Sequence, residues 1–151
     1  MKKTLFAAAL AVAGFVLPAH ATPTVEALFA AIEATGTSVV VDASSICTNK
    51  HMLGMYEPQK DQLTICLANH KGDHDEAFDT LLHESVHIAQ VCKGGPLFSH
   101  SSIAREASHN ELKTLQQFYP ADQHVTELEA RVIARQQDEV YVTDLLKEHC
   151  K

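Results

Sequence analysis

Positive charge is scarce in this chain. Its 12 lysines and arginines face 19 aspartates and glutamates, for a formal net charge of −7 with neutral histidine. Without Lys2 and Lys3 the balance is 10 against 19, a net of −9. That excess of carboxylates repels phosphate backbones and anionic lipid headgroups, so nucleic acid and anionic membrane surfaces are poor partners, and no nucleic-acid partner is expected. Other machinery is missing too. There is no glycine-rich phosphate loop, and no serine lies in a G-x-S-x-G context that would make it a nucleophile. No C-x-x-C pair occurs, which argues against a cysteine-ligated zinc. No internal repeat, low-complexity stretch or linker divides the chain, so its length fits one domain with a single modest core.

The longest apolar run, Leu5 to Leu17, is shorter than the about 20 residues a membrane span needs. It follows Lys2 and Lys3 and precedes Ala19-His20-Ala21, a small-x-small cleavage pattern. Residues 1–21 therefore read as an export signal, leaving 22–151 as one domain with no stable membrane anchor, periplasmic or secreted. All four cysteines, Cys47, Cys66, Cys92 and Cys150, lie in the exported part. An even count in an oxidising compartment reads as two disulfides. Four cysteines allow three pairings. Cys47–Cys66, bracing a hairpin, and Cys92–Cys150, tying two helix ends, are favoured.

Patterning predicts an α+β domain. Thr22-Pro23 opens a helix with Val25, Leu28, Phe29 and Ile32 on its apolar face, stopped by Gly36. Ser38 to Val41 is a β-branched strand. Met52 to Tyr56 and Gln62 to Leu67 read as two further strands joined by the turn Glu57 to Asp61, so a small antiparallel sheet is expected. Asp73, with Glu76 three residues on, caps a helix that runs to about Cys92 and ends at Gly94-Gly95-Pro96. A third helix is expected from Ser101 or Ser102 to Tyr119, with Ile103, Ala107, Leu115 and Phe118 as its contacts and Pro120 as its breaker. Asp122 is the expected cap of a last helix reaching about His149.

The chemistry lies in His83-Glu84-Ser85-Val86-His87. Residues four apart on a helix point the same way, so His83 and His87 can grip one metal ion. Glu84 sits beside that ion, where a carboxylate can take a proton from water activated by the metal. Phe78, Leu81, Leu82, Val86 and Ala89 recur at helical spacing, so this helix is packed rather than solvated. This HExxH arrangement is that of zinc-dependent peptidases. Two histidines do not complete a catalytic zinc site, which usually has three protein ligands and a water. Gln90 and Lys93 stand where the metzincin extension needs Gly and His, so that class is excluded.

The segment Glu127-Leu128-Glu129-Ala130-Arg131-Val132-Ile133-Ala134 offers a carboxylate. HExxH followed some tens of residues later by helical Glu-x-x-Ala resembles the gluzincin group of zinc peptidases, and the compact bacterial and phage minigluzincins are the most similar in size. The resemblance covers roughly 74–135. It implies a zincin-like fold, Zn2+ as cofactor, and Glu127 as third ligand, with Ala130 and Ala134 letting two helices approach closely. One departure stands out: Arg131 occupies the place, four residues after the ligand, where many relatives carry Asp or Asn to orient a zinc-bound histidine. Periodicity offers a competing ligand. On a helical wheel Glu129 falls among Val125, Val132, Ile133 and Val140, as a buried and partnered carboxylate would. Glu127 falls nearer Ala130, Ala134 and Tyr141, beside Arg131 and Asp138. Glu127 is preferred and Glu129 is the alternative.

Among the remaining histidines, His51, His70, His74, His100, His109, His124 and His149, only His109 and His124 are placed to border a cleft. Tyr119 and Tyr141 are candidate donors to a developing oxyanion. The combined expectation is a zinc-dependent peptide-bond hydrolase acting on protein or peptide, with Glu84 as catalytic base. The competing reading is an exported zinc-binding protein or pseudo-peptidase that binds without cleaving.

Overall fold

The computed structural model describes residues 22–151; the expected export signal, 1–21, lies outside the described residues. The chain is α+β and mostly helical. Helix α1 (Pro23–Ala34) is followed by strands β1 (Ser38–Val41), β2 (Gly54–Glu57) and β3 (Gln62–Ile65). Helices α2 (His74–Lys93), α3 (His100–Glu106), α4 (His109–Phe118), α5 (His124–Gln136) and α6 (Glu139–His149) complete it.

The three strands form a mixed sheet, which corrects the antiparallel expectation. β3 is central; it pairs antiparallel with β2 and parallel with β1. The hairpin β2–β3 is the one foreseen. β1 joins the far edge of β3 because the connection 42–53 carries the chain across before β2 begins. A 3-10 turn at Ser45–Thr48 lies in that connection. Asn69 clasps it, its side-chain amide donating to the carbonyls of Cys47, Asn49 and Met52 at 3.2, 3.0 and 2.7 Å. The Cys47–Cys66 disulfide pins the same connection to the residue after β3. The favoured pairing therefore holds, but the bridge secures the crossover rather than the hairpin. Cys92–Cys150 joins the last turn of α2 to the end of α6, as expected. Among the described residues no helix is long and apolar enough to cross a membrane.

Helix α2 is the hub. Its start and stop follow the sequence: the Asp73 carboxylate accepts from the Glu76 N–H at 2.9 Å, and Gly94 ends it in the left-handed region at φ 82°. One side packs on β2 and β3; α5 and α6 cover the others. Leu81, Leu82, Val86, Ile88 and Ala89 are buried in the main core, with Leu28 and Ile32 of α1, Leu63 and Ile65 of β3, and Val142 and Leu146 of α6. Phe78 packs at its margin.

The two C-terminal helices expected from the sequence are each broken in two. The first divides at Ala107-Ser108, where Ser108 and Glu111 form a reciprocal capping box that starts α4. The second divides at Gln137-Asp138, where Asp138 accepts from the Tyr141 N–H at 3.0 Å and caps α6. Asp122 is not a helix cap; it lies in a 3-10 turn, Ala121–Gln123, ahead of α5. The two breaks let α5 pack on both of its sides. Ala130, Ile133 and Ala134 face the main core, while Leu128 and Val132 meet Ile103 and Leu115 in a second small cluster. Phe118, expected in that contact, is 68% exposed.

Candidate metal centre

His83 and His87 lie one turn apart on α2, and their rings meet edge to face with centroids 4.8 Å apart. Their Nε2 atoms are 3.1 Å apart. Glu127, from the first turn of α5, brings its carboxylate to both. Oε1 lies 3.2 Å from His87 Nε2 and Oε2 lies 3.5 Å from His83 Nε2. All three side chains are less than a fifth exposed. Among the described residues this is the one group of three potential ligands close enough to share an ion.

The donor set fits a zinc ion on geometry. Bonds of about 2.0–2.1 Å to nitrogen and oxygen in a tetrahedron separate neighbouring ligand atoms by roughly 3.3 Å. The two imidazole nitrogens, 3.1 Å apart, and the approaches of the two carboxylate oxygens, 3.2 Å to His87 and 3.5 Å to His83, fall on either side of that value. Glu127 Oε2 is buried and has no hydrogen-bond partner, the kind of orphaned acceptor that a cation satisfies. The close approach of α2 and α5 rests on Ala130, fully buried, and Ala134, 8% exposed.

Electrostatics within the cluster are strong. Burial alone would raise the Glu127 carboxyl, but the two imidazoles facing it hold it far below the ordinary carboxylate range. Burial alone would depress His87; its hydrogen bond to Glu127, the charges of Glu84 and Glu127, and Gln90 outweigh that and hold the imidazole above its ordinary value.

Glu129 is not brought to the histidines. Two residues from Glu127 on the helix, it points instead to the α2–α3 connection and is fully buried. Its carboxylate accepts from the backbone N–H groups of Leu97 at 2.8 Å and Phe98 at 2.7 Å, and from Gln90 Nε2 at 2.7 Å. The wheel thus placed Glu129 correctly as a buried, partnered carboxylate, but its partners are amides.

Gln90 connects the two carboxylate environments; from the sequence it is expected only to pack beside His87 on the helix. Its Nε2 donates to Glu129 and to the Thr126 carbonyl, at 2.7 and 3.0 Å. With both amide hydrogens used, Oε1 is the atom facing His87 Nδ1, 2.7 Å away. Nδ1 must then carry the hydrogen, which leaves the Nε2 lone pair for a metal. The spacing His87 to Gln90, one helical turn, was the signal available; its meaning depended on Glu129.

Glu84 is buried on the β2 side of α2, and its Oε2 accepts the Tyr56 backbone N–H at 2.8 Å. β2 is an edge strand, and Gly54 lets α2 lie against it. A Cβ at Gly54 would come within 2.6 Å of Thr80 Cγ2. His83, Glu84, His87 and Glu127 line a cleft of about 670 Å3 between β2 and α5, with Tyr119 also on its wall. Burial and the Glu127 charge hold the Tyr119 phenol above its ordinary value despite the opposing charge of Arg131, so it keeps its proton at neutral pH.

The other residues considered lie elsewhere. Tyr141 packs at the margin of the main core. His124 Nε2 meets the Tyr119 carbonyl at 2.8 Å, and His109 is exposed at the start of α4. His70 is buried between Glu76 and the Leu53 carbonyl.

Residues 22–151 match the family described as Domain of unknown function (DUF8637), and the chain belongs to that family. No curated protein and no solved structure matches it.

Proposed function

We propose that this protein is an exported zinc-dependent peptide-bond hydrolase with a zincin-like arrangement, resembling the gluzincins. The observation that carries the reading is the cluster at the wall of an open cleft: His83 Nε2 and His87 Nε2 lie 3.1 Å apart, one Glu127 oxygen lies 3.2 Å from His87 Nε2, and the other lies 3.5 Å from His83 Nε2. A zinc ion held there supplies Lewis acidity, lowering the pKa of a water towards about 7 and polarising a carbonyl. Glu84, next to the ligand His83, accepts the proton of the attacking water and passes it to the leaving amine as the C–N bond breaks. Its hydrogen bond to Tyr56 N–H fixes the carboxylate against the strand. Tyr119, on the wall of the same cleft, keeps its proton and would donate to the carbonyl oxygen as charge develops there. β2 is the edge strand of the sheet, and apart from the Tyr56 N–H, which Glu84 holds, its outer main-chain groups would hold an extended peptide along the cleft. Export is supported by the signal-like sequence of residues 1–21 and by the two disulfides.

The test is a zinc assay joined to turnover on an unstructured peptide library. Wild type should bind one zinc and cleave; His83→Ala should lose both. Glu84→Gln should keep the zinc and lose cleavage. Zinc binding by wild type without any Glu84-dependent cleavage would leave the binding-only reading in its place.

A further inference from the structure

The cleft continues past the three candidate ligands. A second hollow of about 540 Å3 adjoins it and shares His83, Glu84, Gly54 and Tyr119 with the first. Arg131 and Arg135, on successive turns of α5, line this second hollow. Arg135 is neutralised by Glu111, at 3.0 Å. Arg131 has no carboxylate within ion-pair distance among the described residues. Its Nη2 donates to the phenol oxygen of Tyr119 at 3.0 Å, and its guanidinium carbon lies 5.4 Å from that ring's centre. Its Nε is buried and meets no acceptor.

A half-buried guanidinium without a counter-ion is costly unless an anion completes it. Its planar fork matches a carboxylate better than any other common peptide group. Of the four carboxylates that line the hollow, Glu111 is paired with Arg135 and Glu84 is held by the Tyr56 N–H. Glu76 and Asp79, from the first turns of α2, line it as well and repel an anion from their side. The α5 side is therefore the favourable place for a negative charge. Arg131 is one helical turn from Glu127, about 6 Å along α5, which puts a bound anion within a residue or two of the proposed scissile bond.

We infer that Arg131 recognises the free C-terminal carboxylate of a peptide, so that the substrates are peptides cut within one or two residues of their C-terminal end. This rests on the proposed hydrolytic reading for the cut, but the carboxylate site itself can be tested without turnover. Arg131 is free for this role because Gln90, itself held by Glu129, is the residue that meets His87 Nδ1.

The experiment uses zinc-loaded Glu84→Gln protein and a dansyl-labelled tetrapeptide library of mixed sequence, prepared once as free acids and once as C-terminal amides. Fluorescence anisotropy should show the acids binding about ten- to a hundredfold more tightly. Arg131→Gln on that background should abolish the preference by weakening the acids alone, and Arg131→Lys should keep part of it. Equal binding of acids and amides, binding of neither, or a preference that survives Arg131→Gln overturns the inference. A merely structural Arg131, acting through Tyr119, would weaken both libraries alike and also overturn it. Cleavage by the wild type separates the two readings. Cutting acids and amides equally would leave the hydrolase standing without its carboxylate site. An acid preference in binding with no cleavage would leave the site without the hydrolase.

Discussion

Glu129 and Gln90, 39 positions apart in the chain, meet through a 2.7 Å hydrogen bond in a fully protein-enclosed setting. That bond turns the Gln90 carbonyl oxygen to His87 Nδ1 and so selects which imidazole nitrogen is free. Glu129→Gln should weaken zinc binding about ten- to a hundredfold, the usual effect of removing a partner that orients a metal-bound histidine. It should also leave at least one buried N–H among Leu97, Phe98 and Gln90 unsatisfied, at a cost of about 1–3 kcal/mol in stability. Competition titration with a chromophoric chelator reads the first effect and chemical denaturation the second. Unchanged zinc affinity would show that His87 does not depend on this bond.

The response to pH follows from the opposite shifts of Glu127 and His87. The Glu127 carboxyl is depressed, so its contribution to stability is present above its unfolded value of 4.5 and is lost as pH falls through the lower folded value. His87 is raised, so its contribution is full below its unfolded value of 6.5 and is lost as pH rises through the higher folded value. Protein stripped of metal should thus gain most from this cluster between pH 4.5 and 6.5, losing the His87 part as pH rises and the Glu127 part as pH falls. Zinc must displace the proton on His87, so its affinity should rise from about pH 6 to about pH 8. Denaturation and zinc titrations across that range check both, and Glu127→Gln should flatten the stability profile.

Gly54 holds the distance between β2 and the motif helix α2. An alanine there would put its Cβ 2.6 Å from Thr80 Cγ2 and 3.0 Å from the Thr64 carbonyl oxygen. Gly54→Ala should destabilise by about 1–3 kcal/mol, the range for overpacking. It should also push Glu84 from the Tyr56 N–H. Thr80→Ser removes the nearer atom, so the double variant should recover part of the loss but not all. Thermal melts of the four proteins of this cycle give the answer; a single variant as stable as wild type would refute the close packing.

The two disulfides should contribute unequally. Cys92–Cys150 closes a separation of 58 residues and Cys47–Cys66 one of 19. Chain-entropy reasoning assigns about 4 kcal/mol to the longer loop and about 3 to the shorter. Paired Cys→Ala variants, compared by urea unfolding, should rank in that order. The shorter bridge has the closer link to the candidate site, because the crossover it pins leads directly into β2 and the Glu84 contact.

Local signals accounted for much of the fold. Asp73, Gly94, Pro23 and Gly36 marked helix ends because each acts within a turn of its own position. The same kind of signal was present at Ser108-His109-Asn110-Glu111 and at Asp138, yet continuous helices were expected through both. Apolar periodicity carried across these breaks, because the flanking helices all face a core. The parallel pairing of β1 with β3 had no such mark, since the register of strands distant in the chain depends on what the crossover packs against.

The motif helix, its His pair and the neighbouring Glu84 were determined by the sequence alone. A four-residue spacing on a helix with one packed face leaves little freedom in where two side chains point. Tertiary structure decided the rest of the cluster. Glu127 and Glu129 are both acidic, both on α5 and both withdrawn from solvent, and only the docking of α5 on α2 through Ala130 and Ala134 sends one to the imidazoles and the other to Gln90. That choice belongs to packing between helices, which is cooperative over the whole core and leaves no local trace in the order of the residues.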